Sequence, residues 1–176
     1  MKRPVLVLIV VMLAGTAAFA DHEGMGIGVV GGGALSSNNI HYGNVGLSLK
    51  VPNFPIFWGI YPIFYGHGLG LGVTGDYYFL DNDLVTDQFT NEDGTYNFNL
   101  DWFLGVGAFV NMHFWDGGMA VNFGARVPVG LSWHIIRQLE MFLDIAPGIG
   151  VYFGPGGPDL YFAGAFEFGL RYWINN

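Results

Sequence analysis

Between Phe98 and Ile174 apolar and polar positions alternate with a period of two. Phe98, Leu100, Trp102, Leu104, Val106, Ala108, Val110, Met112 and Phe114 share one face, against Asn99, Asp101, Phe103, Gly105, Gly107, Phe109, Asn111 and His113. The same pattern recurs from Met119 to Trp133, from Leu139 to Phe153 and from Leu160 to Ile174. Successive side chains of a strand point to opposite sides, so each segment predicts a β-strand with two unlike faces. Four earlier strands are predicted at Met25–Leu35, Asn44–Val51, Phe54–Tyr65 and Leu69–Leu80; the third is apolar on both faces and holds Pro55 and Pro62. Turn chemistry separates them at Ser36 to Asn39, Pro52-Asn53, Asp116-Gly117-Gly118 and Gly154 to Asp159.

Eight strands with two-faced alternation fit a barrel, and the residues opposite the apolar face decide which kind. A lipocalin-like barrel turns its apolar face inward and its polar face to water. Here the second face is small: Gly105, Gly107, Gly124, Gly130, Ala146, Gly148, Gly150, Ala163, Ala165 and Gly169. The interior of an eight-stranded barrel is just wide enough for side chains to fill, so crowding there selects glycine and alanine. The large apolar residues then face outward, toward lipid.

Composition supports this inversion. The chain is 52% hydrophobic and 17% aromatic but only 11% charged, under half the charge of an ordinary globular domain. After residue 20, glycine or proline interrupts every apolar run long enough to be a spanning helix. A chain too apolar for water and too broken for membrane helices is left with one architecture, an all-β, eight-stranded, antiparallel up-and-down transmembrane β-barrel.

Residues 1–20, MKRPVLVLIVVMLAGTAAFA, read as a secretory signal peptide: Lys2 and Arg3, an apolar run from Val5 to Leu13, and Ala18-Phe19-Ala20 as the cleavage site. The barrel domain is then 21–176, placed in a bacterial outer membrane after cleavage near Ala20. There is no cysteine, so no disulfide framework or lipoprotein anchor is available. Beyond the leader four basic residues stand against fourteen acidic ones, which removes the electrostatic basis for nucleic-acid binding.

The few charges fall on the small-residue face. Lys50, Arg126 and Arg171 share it with Asp76, Asp101, Glu140, Asp144 and Glu167, while Arg137 sits in a turn. Counting along the strands sets Arg126 level with Asp144 and Glu167, and Arg171 level with Glu140. This predicts a lumen ion-pair network of Arg126 with Asp144 and Glu167, and of Arg171 with Glu140, because buried charges are tolerated only when paired. Trp102, Trp133, Tyr172 and Trp173 near one rim, and Trp115 near the other, are expected to form aromatic girdles at headgroup depth.

With these residues in hand, the chain resembles the small eight-stranded outer-membrane barrels, the group of the OmpA transmembrane domain, OmpX and OmpW. Glu167, Gly169, Tyr172 and Ile174 resemble the last-strand assembly signal, polar-x-Gly-x-x-aromatic-x-hydrophobic, although the chain ends on Asn175-Asn176 instead of an aromatic residue. The resemblance implies outer-membrane lipid and the barrel-assembly machinery as partners, and periplasmic termini. With that orientation the acidic connection from Asp81 to Asn97 falls on the periplasmic side, where turns are normally short; either strands four and five run on past the membrane or the early strands are miscounted.

Other chemistry is weakly signalled. Gly26 to Gly31, GIGVVG, has the letters of a dinucleotide fingerprint but follows a cleavage site and leads into no helix. The five histidines (His22, His41, His67, His113 and His134) have no metal-ligand spacing, and no cofactor is expected. Ser36, Ser37, His41 and His67 are the candidates for a lipid-modifying rim site. Pro128 and Pro147 interrupt ladders, either as kinks or as a lateral opening to the bilayer. The expected role is therefore non-enzymatic: a structural or surface-interacting barrel with a filled lumen and an unidentified surface ligand. A narrow channel for small or apolar solutes is the alternative, and a lipid-acting enzyme the third.

Overall fold

The computed structural model describes residues 24–37, 42–65, 68–91 and 94–174. The leader, His22, His41, His67, Asn38, Asn39 and the last two residues lie outside the described residues.

Nine strands follow in order: β1 (Met25–Ser36), β2 (Tyr42–Lys50), β3 (Phe57–Tyr65), β4 (Gly68–Asn91), β5 (Gly94–Trp115), β6 (Gly118–Arg126), β7 (Val129–Ile136), β8 (Leu139–Gly154) and β9 (Gly157–Ile174). Consecutive strands pair antiparallel except β6 and β7, which both lie between β5 and β8, and β1 pairs with β9 from Met25↔Ile174 to Ser36↔Ala163, closing the ring. No lipid-side edge is left, which is the condition for a sheet to sit in hydrocarbon.

Strands β6 and β7 are two halves of one stave, so the barrel has eight. Both lie between β5 and β8, and the register is unshifted across the gap: Gly107↔Arg126 and Leu104↔Val129 on one side, Arg126↔Gly148 and Val129↔Ile145 on the other. The gap is Pro128, which has no N–H to donate. Its carbonyl still accepts from the Gly105 N–H at 2.8 Å, and the Val127 N–H donates to the Pro147 carbonyl at 2.9 Å. The ladder is bridged on both sides of the proline, so it neither bulges nor opens toward lipid.

Burial is inverted relative to a water-soluble protein. Arg126, Arg171, Glu140, Asp144, Asp76 and Lys50 are buried, while Ile145, Ile149, Phe153, Phe162, Phe166 and Phe168 are exposed. Strands β2 and β3 are nine residues long, close to the 9–11 tilted residues that cross a hydrocarbon core. Gly26 to Gly31 lies inside β1, paired on both edges, with no helix after it, so the dinucleotide reading is excluded.

Two early boundaries differ from the sequence expectation. Strand β3 starts at Phe57 instead of Phe54, because Asn53 takes a left-handed φ of 58° and the Phe54 N–H turns back to the Val51 carbonyl. Strands β4 and β5 run on through the whole Asp81–Asn97 connection as a paired ribbon ending at Asn91↔Gly94, with register shifts between Tyr78 and Leu80 and between Asp83 and Val85. Of the two alternatives, the strands extend and the count of eight staves stands. A closed barrel of this kind should run faster on gels unboiled than boiled when taken from the membrane fraction; mobility unchanged by heating, or protein found only in the soluble fraction, would contradict the architecture.

Candidate functional site: the barrel lumen

The lumen is filled in layers. Nearest the end where β1 begins and β9 stops, the terminus end of the described chain, Arg171 of β9 stands opposite Glu140 of β8 in the ladder. Its Nη1 donates to Glu140 Oε1 and Oε2 at 3.1 and 2.9 Å, and its Nε and Nη2 donate to Ser48 Oγ at 3.2 and 3.0 Å. The guanidinium carbon lies 4.7 Å from the Phe57 ring centre, 4.6 Å from Phe142 and 5.6 Å from Trp173. Aromatic faces stabilise a cation removed from water. Tyr78 stacks between Phe57 and Phe103 with ring centres 4.4 Å apart on each side, completing an aromatic plug. Lys50 joins it, its Nζ donating to the Val51 carbonyl at 3.2 Å.

The middle layer is built on Arg126. Its Nε and Nη2 reach Asp76 Oδ1 and Oδ2 at 2.8 and 2.5 Å, and its Nη1 and Nη2 reach Glu167 Oε1 and Oε2 at 2.9 Å each. Two bidentate carboxylates on one planar guanidinium use its donors on both sides. Tyr61 Oη adds a hydrogen bond to Glu167 Oε1 at 2.9 Å. Arg126 thus ties β4, β6 and β9 across the interior.

The partner of Arg126 differs from the expected one. Asp144 stands opposite Glu167 in the β8–β9 ladder and is only 2% exposed, but its Oδ1 has no hydrogen-bond partner. Asp76 takes the place assigned to it. Neighbouring-strand register put Asp144 near Arg126, but the guanidinium reaches past β5 to β4, two staves away, just as it reaches past β8 to Glu167 on β9. Asp101 is likewise buried near the rim, with Oδ1 unpartnered, opposite Asp83 of β4.

Toward the other end the walls shrink to glycine and alanine. Asn111 Nδ2 donates to Asn122 Oδ1 at 2.7 Å, and a cavity of about 60 Å³ lies between this pair, Tyr61, Tyr161 and Ala163, with Arg126 and Glu167 among its lining residues. A smaller void of about 10 Å³, bordered by Phe57, Tyr78 and Arg171, also reaches Arg126 and Glu167. The Arg126 layer is common to both.

Among the girdle residues, Tyr172 is half exposed, Trp115 is exposed, and Trp102 and Trp133 are partly so. Trp173 is a correction: it is 1% exposed and its indole N–H donates to Glu140 Oε2 at 2.7 Å, inside the lumen. Its position in the alternation, on the small-residue face, outranks its aromatic character. Of the assembly-signal residues, Glu167 holds Arg126, Tyr172 and Ile174 are exposed, and Gly169 makes room for the Phe142 ring, which occupies the place of its missing Cβ. Ser37 Oγ accepts from the Phe162 N–H at 3.0 Å; His41 and His67, the other rim candidates beside Ser36, lie outside the described residues. Ser48, Tyr61 and the Asn111–Asn122 pair are lumen residues that strand counting did not single out, although all lie on the inward alternation.

No family model matches the chain, and no curated protein does. Among solved structures it is similar to the crystal structure of Neisserial surface protein A (NspA), at 11% identity over 85% of this chain and 96% of that one, with a TM-score of 0.37. It is also similar to Ail, the attachment invasion locus protein of Yersinia pestis, at 12% identity over 86% and 97%, with a TM-score of 0.34. Both likenesses are distant, and the function is read from this chain's own lumen and rims.

Arg126→Leu strands two buried carboxylates, which costs about 3–5 kcal/mol; the urea midpoint of the refolded barrel should fall accordingly, with Arg137→Ala as a neutral control. Asp76→Asn should lower that midpoint more than Asp144→Asn does, the reverse of what a direct Arg126–Asp144 pair requires. Gly169→Val puts a side chain into the Phe142 ring, and overpacking of this kind costs about 1–3 kcal/mol, visible in the same measurement.

Proposed function

We propose that this chain is a non-enzymatic, non-conducting barrel of a bacterial outer membrane, with a structural or interaction role, whose lumen is sealed by the Arg126 layer. The single observation that carries the reading is the bidentate hold of Arg126 on both Asp76 and Glu167 inside a ring of eight staves. A charge locked between two carboxylates does not yield to a passing ion without leaving buried charges unpaired, a loss of several kcal/mol. The aromatic plug around Arg171 supports the same conclusion a second time along the axis. The apolar outer coat, cleavage of residues 1–20 and insertion by the barrel-assembly machinery through Glu167, Gly169, Tyr172 and Ile174 complete this reading.

A channel for small solutes would need a path past both layers, and a lateral exit for apolar ones would need a broken ladder at Pro128 or Pro147, where backbone hydrogen bonds bridge the gap. Purified protein in planar bilayers should therefore be electrically silent at neutral pH. The double variant Arg126→Ala with Arg171→Ala, if it folds, should show small openings. Steady conductance from the unmodified protein would overturn the reading.

A further inference from the structure

The structure is lopsided along its axis. At the end away from the termini the connections are short: two residues at 116–117 and at 155–156, where Gly117 and Gly156 supply the left-handed φ that tight hairpins need. At the terminus end β4 and β5 leave the barrel as a two-stranded ribbon. The β3–β4 ladder stops at Phe57↔Asp76 and the β5–β7 ladder stops at Asn99↔His134, whereas β4 and β5 stay paired to Asn91↔Gly94. From Thr86↔Asn99 outward this is six residues per strand, about 20 Å of ribbon at ~3.3 Å per residue. Among the described residues no strand lies along either of its outer edges.

Proteins protect such edges with lysine, proline or bulges. Here both register shifts fall at the root of the ribbon, before Val85, and the rungs from Val85↔Leu100 to Asn91↔Gly94 are regular. There is no proline between Pro62 and Pro128, and no lysine or arginine between Lys50 and Arg126. The segment carries only acids: Asp81, Asp83, Asp87, Glu92 and Asp93, five of the fourteen in the chain. Leu84, Val85 and Phe98 at the root are exposed large apolar residues. A second copy of the ribbon would be repelled by like charge, and so would an anionic leaflet. What the segment can take without penalty is a strand of opposite sign.

We propose that the open β4 edge, Thr86 to Asn91, is a docking strand for an extended, cationic peptide segment of a partner protein, which adds to the sheet through main-chain hydrogen bonds while its lysines or arginines face the acids. Strand addition draws affinity from the backbone ladder and selectivity from side chains, so charge and edge must both contribute. This rests on the interaction role proposed above and assigns that role to the terminus end of the barrel, away from the short turns.

The test uses the full barrel in phosphatidylcholine nanodiscs and a capped ten-residue peptide of alternating lysine and valine. Two controls are the same peptide N-methylated at alternate residues and its glutamate-valine counterpart. The proposal expects binding of the lysine peptide, at least tenfold weakening between 50 and 300 mM salt, at least tenfold loss on N-methylation, no binding of the acidic peptide, and slowed amide exchange confined to residues 86–91. A variant with Thr86–Asn99 replaced by a two-residue Asn-Gly turn should keep heat-modifiable mobility and lose binding. Equal binding of the N-methylated peptide would mean charge attraction alone and overturns the docking edge. So does protection outside the ribbon, a concentration-dependent dimer in place of binding, binding of the acidic peptide, or no binding. Conductance is read separately: a silent barrel that binds nothing overturns this proposal and leaves the sealed lumen standing, whereas a conducting barrel overturns the sealed lumen first.

Discussion

Everything in this molecule follows from the need to satisfy backbone hydrogen bonds where there is no water. An unpaired N–H or C=O in hydrocarbon costs several kcal/mol, and a sheet escapes that cost only by closing. The β1–β9 ladder runs over twelve rungs, from Met25↔Ile174 to Ser36↔Ala163, and makes neighbours of the two ends of the described chain. Closure at eight staves then fixes an interior so narrow that many lumen positions are glycine or alanine, and the polar groups meet one another across it. The ion pairs are in this sense a consequence of the ladder. Strand number sets the width, width sets the crowding, and crowding brings Arg126 within reach of carboxylates on two other strands.

The same constraint explains why a proline is tolerated in a spanning stave. Pro128 removes one donor, yet the two flanking bonds, from Gly105 to its carbonyl and from Val127 to the Pro147 carbonyl, keep the register constant through the interruption. A proline is costly in a sheet mainly through the acceptor it leaves unpaired. Its ring is fully buried, so it also fills space in a lumen otherwise short of bulk at that level, beside Gly105.

How much of this could be read from the residues depended on distance along the ring. Alternation is local, and it placed the last four staves, the inward charges and the pair Arg171–Glu140, whose partners sit on adjacent strands in direct register. Arg126 was harder. Its second carboxylate, Asp76, comes from β4, and contact across a lumen depends on strand tilt and stagger, which no local pattern encodes. Trp173 erred the other way: its residue type suggested the headgroup region, while its parity placed it inward, and parity governed. Strand β3, apolar on both faces, concealed Phe57 and Tyr61, two of its inward contributors to the lumen core. The ribbon beyond Asp83 was legible only as an acidic connection, because its two strands lack the continuous apolar face by which spanning strands are recognised.

The lumen is as lopsided as the rims, and the two asymmetries point the same way. Aromatic rings and the Arg171 cluster fill the half nearest the termini, while the cavity lies in the half bounded by short turns. Interiors resist deformation where they are close-packed, so the stiff half of the barrel is the one from which the β4–β5 ribbon projects. Tyr78 and Phe103 sit at the root of that ribbon, on β4 and β5, stacked face to face and both buried. An isolated two-stranded ribbon is marginally stable in water; one rooted in the packed plug inherits its orientation from it. The residues that pack this half of the lumen are therefore the same ones that aim its longest projection.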